Sequence, residues 1–309
     1  MKLNVLFVWM MMLGLVFSSC QHADPKPPEP EPKPEPRPEP EPEPEPPAFE
    51  LGVVVVGDTG TGKSDQYRVA ESMERYCQVN KCDVGLLLGD NIYEKGVKTP
   101  KDSQFQSKFE KPYANLDFKF KPTLGNHDAY GCWICQVQYS KYSDKWDMPA
   151  QYYTFQYDKY VEFFAIDSNW DYFRNPMKKH KQHDWLEDQL KTSEAKWKIV
   201  YGHHPVHSER GRHGDDMWMK KYLRPMLQKY KVDFYLAGHD HNKELTHKDG
   251  LAYVIAGSGA KLRGLKKDDD PLFAKSSLGF AHLLIKENEL TLRFVGLNGE
   301  VEYERKYEK

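Results

Sequence analysis

Val84-Gly85-Leu86-Leu87-Leu88-Gly89-Asp90-Asn91-Ile92-Tyr93 joins a short apolar run to a cluster of polar residues. The apolar half reads as a buried strand. Asp90 falls just past its end, where open α/β sheets bind ligands in the crevice at the strand C-termini. A carboxylate there could bridge two metal ions through its two oxygens, and Tyr93 could return to one of them as a phenolate. Taken alone, the stretch reads equally well as a strand ending in a polar turn, with Tyr93 packed as an ordinary aromatic.

Four other stretches repeat the arrangement. They are Val53-Val54-Val55-Val56-Gly57-Asp58, Pro122-Thr123-Leu124-Gly125-Asn126-His127-Asp128, Lys198-Ile199-Val200-Tyr201-Gly202-His203-His204-Pro205 and Phe234-Tyr235-Leu236-Ala237-Gly238-His239-Asp240-His241. A glycine precedes the polar residues each time and lets the chain turn sharply at the strand end. One sheet edge would thus present two Asp, one Asn, three or four His and a Tyr. Carboxylate, amide oxygen, imidazole and phenolate together suit iron, zinc or manganese. Any one run could be a core strand with a polar cap, but five in this order point to a metal centre.

The rest of the chain alternates strand and helix. Helical spacing marks Gln66 to Cys77, Gln104 to Tyr113, the region around Trp185, Leu186 and Leu190, and Trp218 to Leu227. Strand patterns mark Lys119–Leu124, Tyr152–Gln156 and Val161–Ile166. They recur in the tail at Leu251–Ala256, Ala281–Ile285, Leu290–Phe294 and Val301–Arg305. Alternating β and α followed by β-rich sequence implies an α/β body of parallel strands with antiparallel additions.

One motif competes. Gly57-Asp58-Thr59-Gly60-Thr61-Gly62-Lys63-Ser64 matches the phosphate-binding pattern G-x-x-x-x-G-K-[ST] in full, after a strand and before a helix. A nucleotide site would leave Asn126, His203, His239 and His241 without a task. The metal reading uses Asp58 and explains Gly57 and Gly60 as turn residues, so it is preferred.

The five motifs resemble those of the metallophosphoesterases, and specifically the purple acid phosphatases of the mammalian, tartrate-resistant type. Gly57-Asp58-Thr59-Gly60, Gly89-Asp90-Asn91-Ile92-Tyr93, Gly125-Asn126-His127-Asp128, Val200-Tyr201-Gly202-His203 and Gly238-His239-Asp240-His241 follow the family pattern in order. The resemblance covers most of Phe49 to Lys309. It implies a four-layer α-β-β-α sandwich and a di-metal acid phosphatase that cleaves phosphate monoesters by attack of a metal-activated hydroxide; a phosphodiesterase on the same metal core and a non-catalytic surface-binding lipoprotein are the alternatives, the latter disfavoured by the intact ligand set. The implied ferric site is Asp58, Tyr93 and His241, and the implied divalent site (iron, zinc or manganese) is Asn126, His203 and His239. Asp90 bridges the two. His127 would face the substrate and protonate the leaving oxygen, and His213 resembles a second substrate-side histidine. His204 stands where close relatives have Tyr. The implied partner is a small phosphate ester, met by a monomer.

The remaining features concern export. Met1 to Cys20 reads as a targeting segment, with Lys2 before an apolar core too short to span a bilayer. Phe17-Ser18-Ser19-Cys20 resembles a bacterial lipoprotein box, which implies a lipid anchor on Cys20 at a cell envelope. Residues 21–47 form a linker, and Pro25 to Pro47 holds 13 prolines in 23 residues. Such a segment is a stiff spacer of ~3.1 Å per residue, reaching ~70 Å. Residues 48–309 make the catalytic domain. The chain carries −2 overall; Gln21 to Pro47 holds eight acids against three bases and Lys2 adds one charge, leaving the body at +2. That balance, with 39% apolar residues, excludes a nucleic-acid binder and is compatible with an anionic substrate. Cys77, Cys82, Cys132 and Cys135 suggest two disulfides in one of three connectivities, or less simply a zinc site.

Overall fold

β1, Glu50–Val56, is buried from Leu51 onward on both faces. It runs parallel to β2, Val84–Leu88, and antiparallel to β11, Phe280–Lys286. A strand paired on both edges and covered on both faces reads as a continuous Val run rather than an alternation. The computed structural model describes Lys26 and residues 48–169, 181–266 and 271–309. The chain divides into Met1–Pro46 and Pro47–Lys309, and only the second is considered further. The expected targeting segment and Cys20 lie outside the described residues. Among those described, no helix is long and apolar enough to cross a membrane.

Two sheets form the body. The first adds β3 (Lys119–Thr123), β12 (Glu289–Val295) and β13 (Val301–Glu308) in the order β13-β12-β11-β1-β2-β3. The second contains β4 (Tyr153–Tyr157), β5 (Val161–Ala165), β6 (Trp197–Tyr201), β7 (Phe234–Ala237), β8 (Lys243–Lys248), β9 (Leu251–Ala256) and β10 (Phe273–Lys275). Its order is β10-β8-β9-β7-β6-β5-β4. β1, β2 and β3 are parallel, as are β5, β6, β7 and β9. All the motif-bearing strands therefore end in their functional residues on the same side of their sheet.

The sheets face each other across one core. Trp197 Nε1 donates to the Lys286 carbonyl at 3.0 Å, Tyr201 Oη to the Lys121 carbonyl at 3.2 Å, and the Phe234 and Tyr307 rings lie 4.8 Å apart. Helix α1, Ser64–Cys77, lays Val69, Ala70, Met73 and Tyr76 on the first sheet, where the Ser72 hydroxyl reaches the Gly296 carbonyl at 2.6 Å. On the far face of the second sheet, Leu186 and Leu190 from the helix Lys181–Thr192 pack with Met226 and Leu227 from the helix Arg224–Lys229. Phe164, Val200 and Tyr235 receive them. Each such side chain contributes about 1.5–3 kcal/mol on full burial. The result is the four-layer α-β-β-α sandwich that the resemblance implies.

Some elements differ from the sequence reading. The stretch read as a helix from Gln104 to Tyr113 holds a π-helical turn, Gln106–Glu110, and the one from Trp218 begins with another, Met219–Leu223. β8 and β10 were not expected. β8 is Lys-Glu-Leu-Thr-His-Lys, whose buried Lys243 and Glu244 look like turn residues until their partners are known. The cysteines pair locally, Cys77 with Cys82 and Cys132 with Cys135, which removes the zinc alternative.

Candidate metal centre

Backbone geometry singles out the strand ends. Asp58, Asp90 and His239 have φ of 60°, 52° and 67°, the left-handed region that non-glycine residues rarely adopt. Such conformations persist where the surroundings over-determine them, and they gather at functional sites. Gly89, at φ 83°, sets up the Asp90 turn, and a Cβ at Gly125 would come within 2.2 Å of the Asp90 carboxylate. The third motif therefore closes tightly around Asp90.

The seven candidate ligands converge. Tyr93 Oη lies 3.0 Å from Asp58 Oδ1 and 3.3 Å from His241 Nε2, and His241 Nε2 is 3.4 Å from Asp58 Oδ1. Beside them, His203 Nε2 faces Asn126 Oδ1 at 3.1 Å, His239 Nδ1 at 3.2 Å and Asp90 Oδ1 at 3.5 Å. Asp58, Asp90 and His203 offer ligand atoms within 4.8 Å of one another, so Asp90 sits between the two trios. His203, His204 and His239 do the same, but His204 Nδ1 is engaged by Ser168 Oγ at 2.9 Å.

Hydrogen positions follow from the partners. His203 Nδ1 meets the Leu88 carbonyl at 2.8 Å, and a carbonyl only accepts. The Nδ1 proton is therefore taken up by that carbonyl, and Nε2 faces an amide oxygen, a carboxylate oxygen and another imidazole nitrogen. Ligand-type atoms gathered this closely around Asp90 are the arrangement expected around a shared cation. The second-sphere carbonyl that fixes the His203 tautomer is a recurrent feature of metal-ligating histidines.

The electrostatics agree. Asp58 and Asp90 are 0% and 2% exposed. Burial alone would raise the Asp58 carboxyl, but the His241 hydrogen bond and the His203 and His241 charges hold it below its ordinary value. Burial alone would lower His203, but the Asp90 and Asp58 carboxylates lift it. Burial, then the neighbouring histidines, push His239 far below the usual imidazole range. Burial and the Asp58 and Asp90 charges push the Tyr93 phenol far above its own. A phenolate at this position therefore needs a cation against it. The donor set fits a pair of metal ions.

Two histidines flank the cluster. His127 Nδ1 meets the Glu94 carbonyl at 2.6 Å, so it carries the proton; Nε2 lies 3.9 Å from Asp90 Oδ2, and the side chain is 26% exposed. The His213 ring is 4.2 Å from that of His239, its amide donates to Asp240 Oδ1 at 3.0 Å, and its Nε2 accepts from Arg263. Burial lowers the His213 imidazole, against the pull of Asp240 and with the help of Arg263.

Sequence reasoning missed the groups that hold the motifs together. The Asp128 carboxylate accepts from the amides of Gly125, Asn91 and Ile92 at 2.9, 3.0 and 3.0 Å and from Gln136 Nε2 at 2.8 Å. It clamps the third motif onto the second. Asp240 does similar work between His213 and Ser208, whose hydroxyl donates at 2.6 Å. The only signal for either was its place beside a ligand in the motif.

The competing phosphate-loop reading is overturned by the loop's own hydrogen bonds. The amides of Asp58 and Gly60 donate to the carbonyls of Gly89 and Asp90, and that of Thr61 to the Thr59 carbonyl. Gly62 donates to Gln66 Oε1 at 2.8 Å and Lys63 to Thr61 Oγ1 at 3.1 Å. Amides spent on the protein cannot cradle a phosphate.

Known proteins bear out the pattern. The calcineurin-like phosphoesterase pattern matches residues 51–243. The tartrate-resistant acid phosphatase type 5 of Mus musculus is 31% identical over 82% of this chain and 89% of its own length. The chain belongs to the calcineurin-like phosphoesterase family. Another relative in that family, purple acid phosphatase 4 of Arabidopsis thaliana, is 28% identical, with 82% of each chain covered. Among solved structures of the same fold, GAP50, described as the anchor in the inner membrane complex of Plasmodium, aligns with a TM-score of 0.77. It is 26% identical over 84% of this chain and 89% of that one. A purple acid phosphatase from yellow lupin (Lupinus luteus) seeds gives 0.67 at 16% identity, over 84% and 54%, and shares the fold. Membership of the family implies a binuclear metal centre at the strand ends.

Proposed function

We propose that this chain is a di-metal acid phosphatase that hydrolyses phosphate monoesters. The carrying observation is the convergence of two ligand trios on either side of Asp90, with no lysine or arginine among the described residues paired to the buried carboxylates. Asp58, Tyr93 and His241 suit a ferric ion, because phenolate and carboxylate are hard anionic donors. Asn126, His203 and His239 are neutral and suit a divalent iron, zinc or manganese. Bound metal ions supply Lewis acidity and lower the pKa of water beside the phosphorus.

The chain's own side chains do the rest. Asp128 and the strained Asp90 turn hold the bridging carboxylate in place, which supports a preorganised site. His127, with Nδ1 fixed by the Glu94 carbonyl, presents Nε2 toward the space next to Asp90, where as the imidazolium it can donate its Nε2 proton to the departing alkoxide and become neutral. His213, with its ring 4.2 Å from that of His239, would position the ester.

Tyr93→Phe tests the reading. The substitution keeps the ring and its packing and removes the oxygen 3.0 Å from Asp58. The expected protein is folded, has lost its visible charge-transfer band and part of its iron, and hydrolyses p-nitrophenyl phosphate more slowly. The wild type should prefer that monoester to bis(p-nitrophenyl) phosphate. Unchanged colour and iron content in Tyr93→Phe would remove Tyr93 from the ligand set.

A further inference from the structure

A cavity of about 630 Å³ opens beside Tyr93 and His241. Its outer wall carries four basic side chains, Lys63, Lys108, Lys261 and Arg263, against two acids, Asp65 and Glu94. Asp65 is paired outside the wall, with Arg68 at 3.1 Å, and Glu94 takes up Lys261 at 3.3 Å, which leaves Lys63, Lys108 and Arg263 without a carboxylate partner among the described residues. Lys63, which the rejected phosphate loop left without a role, makes no ion pair among the described residues.

The basic groups are held in place by the site itself. Lys108 Nζ donates to the Tyr93 carbonyl and, at 2.7 Å, to Gln104 Oε1. Lys261 Nζ sits 3.5 Å above the Tyr93 ring. The Arg263 amide donates to the His241 carbonyl at 3.1 Å. Gln66, fully buried, bonds the Gly62 amide at 2.8 Å and the Lys108 carbonyl at 2.6 Å, and so locks the Lys63 loop to the Lys108 turn. A wall of cations fixed to the backbone of two metal-ligand motifs is preorganised for an anion at a set distance from the phosphate being cleaved. Lysine suits such an anion as a point charge, arginine as a fork.

We propose that this cavity is a subsite for a second phosphoryl group, so that the enzyme selects small monoesters carrying another phosphate a few bonds away from the one it removes. The proposal rests on the phosphatase reading. It deepens that reading by naming the substrate class and Lys63 as a specificity-determining residue.

Binding and turnover test it separately. In the full-length, metal-loaded protein, butane-1,4-diphosphonate and butylphosphonate are titrated calorimetrically, with wild type and with Lys63→Glu. Lys63 is exposed, so folding is not at issue. The expected result is that the diphosphonate binds at least tenfold more tightly than the monophosphonate to the wild type, and that Lys63→Glu removes most of this advantage while leaving the monophosphonate within twofold. Turnover should follow: Lys63→Glu raises KM for fructose 1,6-bisphosphate severalfold with kcat kept, and leaves p-nitrophenyl phosphate unaffected. Equal affinity for the two phosphonates, or an advantage untouched by Lys63→Glu, overturns the subsite. Failure to hydrolyse p-nitrophenyl phosphate overturns the phosphatase reading instead, and the phosphonate titration still judges the subsite.

Discussion

Lys243 and Glu302 meet at 2.8 Å inside the body, with side chains 0% and 4% exposed. Asp58 and Asp90 are as deeply buried, yet among the described residues their only basic partners are histidines. The first pair is closed within the protein. Lys243 also donates to the carbonyls of Leu278 and Val295, and Glu302 also receives Lys275 and Ser277. The second pair is left open. Burying a charge costs several kcal/mol unless it is paired and hydrogen-bonded. A closed pair is therefore part of the architecture, and an open pair of carboxylates surrounded by a phenol, an amide and imidazoles calls for a cation from outside. A third answer appears at His282, which burial holds neutral, with its pKa pushed down to about 4.

The largest effect that separates these cases is expected at Asp90. Asp90→Asn removes the group shared by both trios, and activity should fall by about 10³-fold or more. The sign of the stability change should depend on metal. In metal-free protein, urea denaturation should show Asp90→Asn more stable than wild type by about 1–3 kcal/mol, because one of two neighbouring buried carboxylates is gone. With metal bound, the order should reverse. Asp90→Asn that is less stable in both states would erase the contrast with Lys243.

Next comes the closed pair. Lys243→Met strands Glu302 and should cost about 3–5 kcal/mol, with metal content and activity per folded molecule unchanged. Lys243→Met/Glu302→Leu should recover most of that loss. A double variant no more stable than the single one would show that the pair matters through its other contacts.

His282 gives the smallest effect. Its ring nitrogens meet Tyr76 Oη at 3.3 Å and the Lys81 carbonyl at 2.8 Å. Its folded pKa lies below its unfolded value of 6.5, so the unfolded chain binds the extra proton first as pH falls. The stability is fully present above pH 6.5 and is lost progressively toward pH 4, by about 3 kcal/mol. His282→Gln should flatten the pH dependence of the urea midpoint across that window. An unchanged slope would assign acid sensitivity to other groups.

The candidate ligands stood out in the sequence because five of the seven directly follow a glycine at the end of an apolar strand, with Tyr93 and His241 a few residues on, and strand ends in a parallel sheet share one side. Local periodicity also carried the α/β alternation. It did not carry what depends on distant partners. Lys243 and Glu244 look like surface residues because their partners, Glu302 for one and the Glu209 and Arg210 amides for the other, come from other parts of the chain. Asp128 stands beside a candidate ligand in its motif, and only the donors around it reveal a clamp. The cationic wall was invisible because Lys63, Lys108, Lys261 and Arg263 come from three separate segments.

Metal analysis of the purified full-length protein, before and after chelation, bears on all of this at once. The expected result is two ions per chain, one of them iron. Removing both ions should abolish p-nitrophenyl phosphate hydrolysis and lower the thermal midpoint, and re-adding iron with a divalent ion should restore both. A folded protein that carries less than one ion per chain and keeps its full activity and stability in chelator would contradict the metal centre, and with it the reason given for burying Asp58 and Asp90.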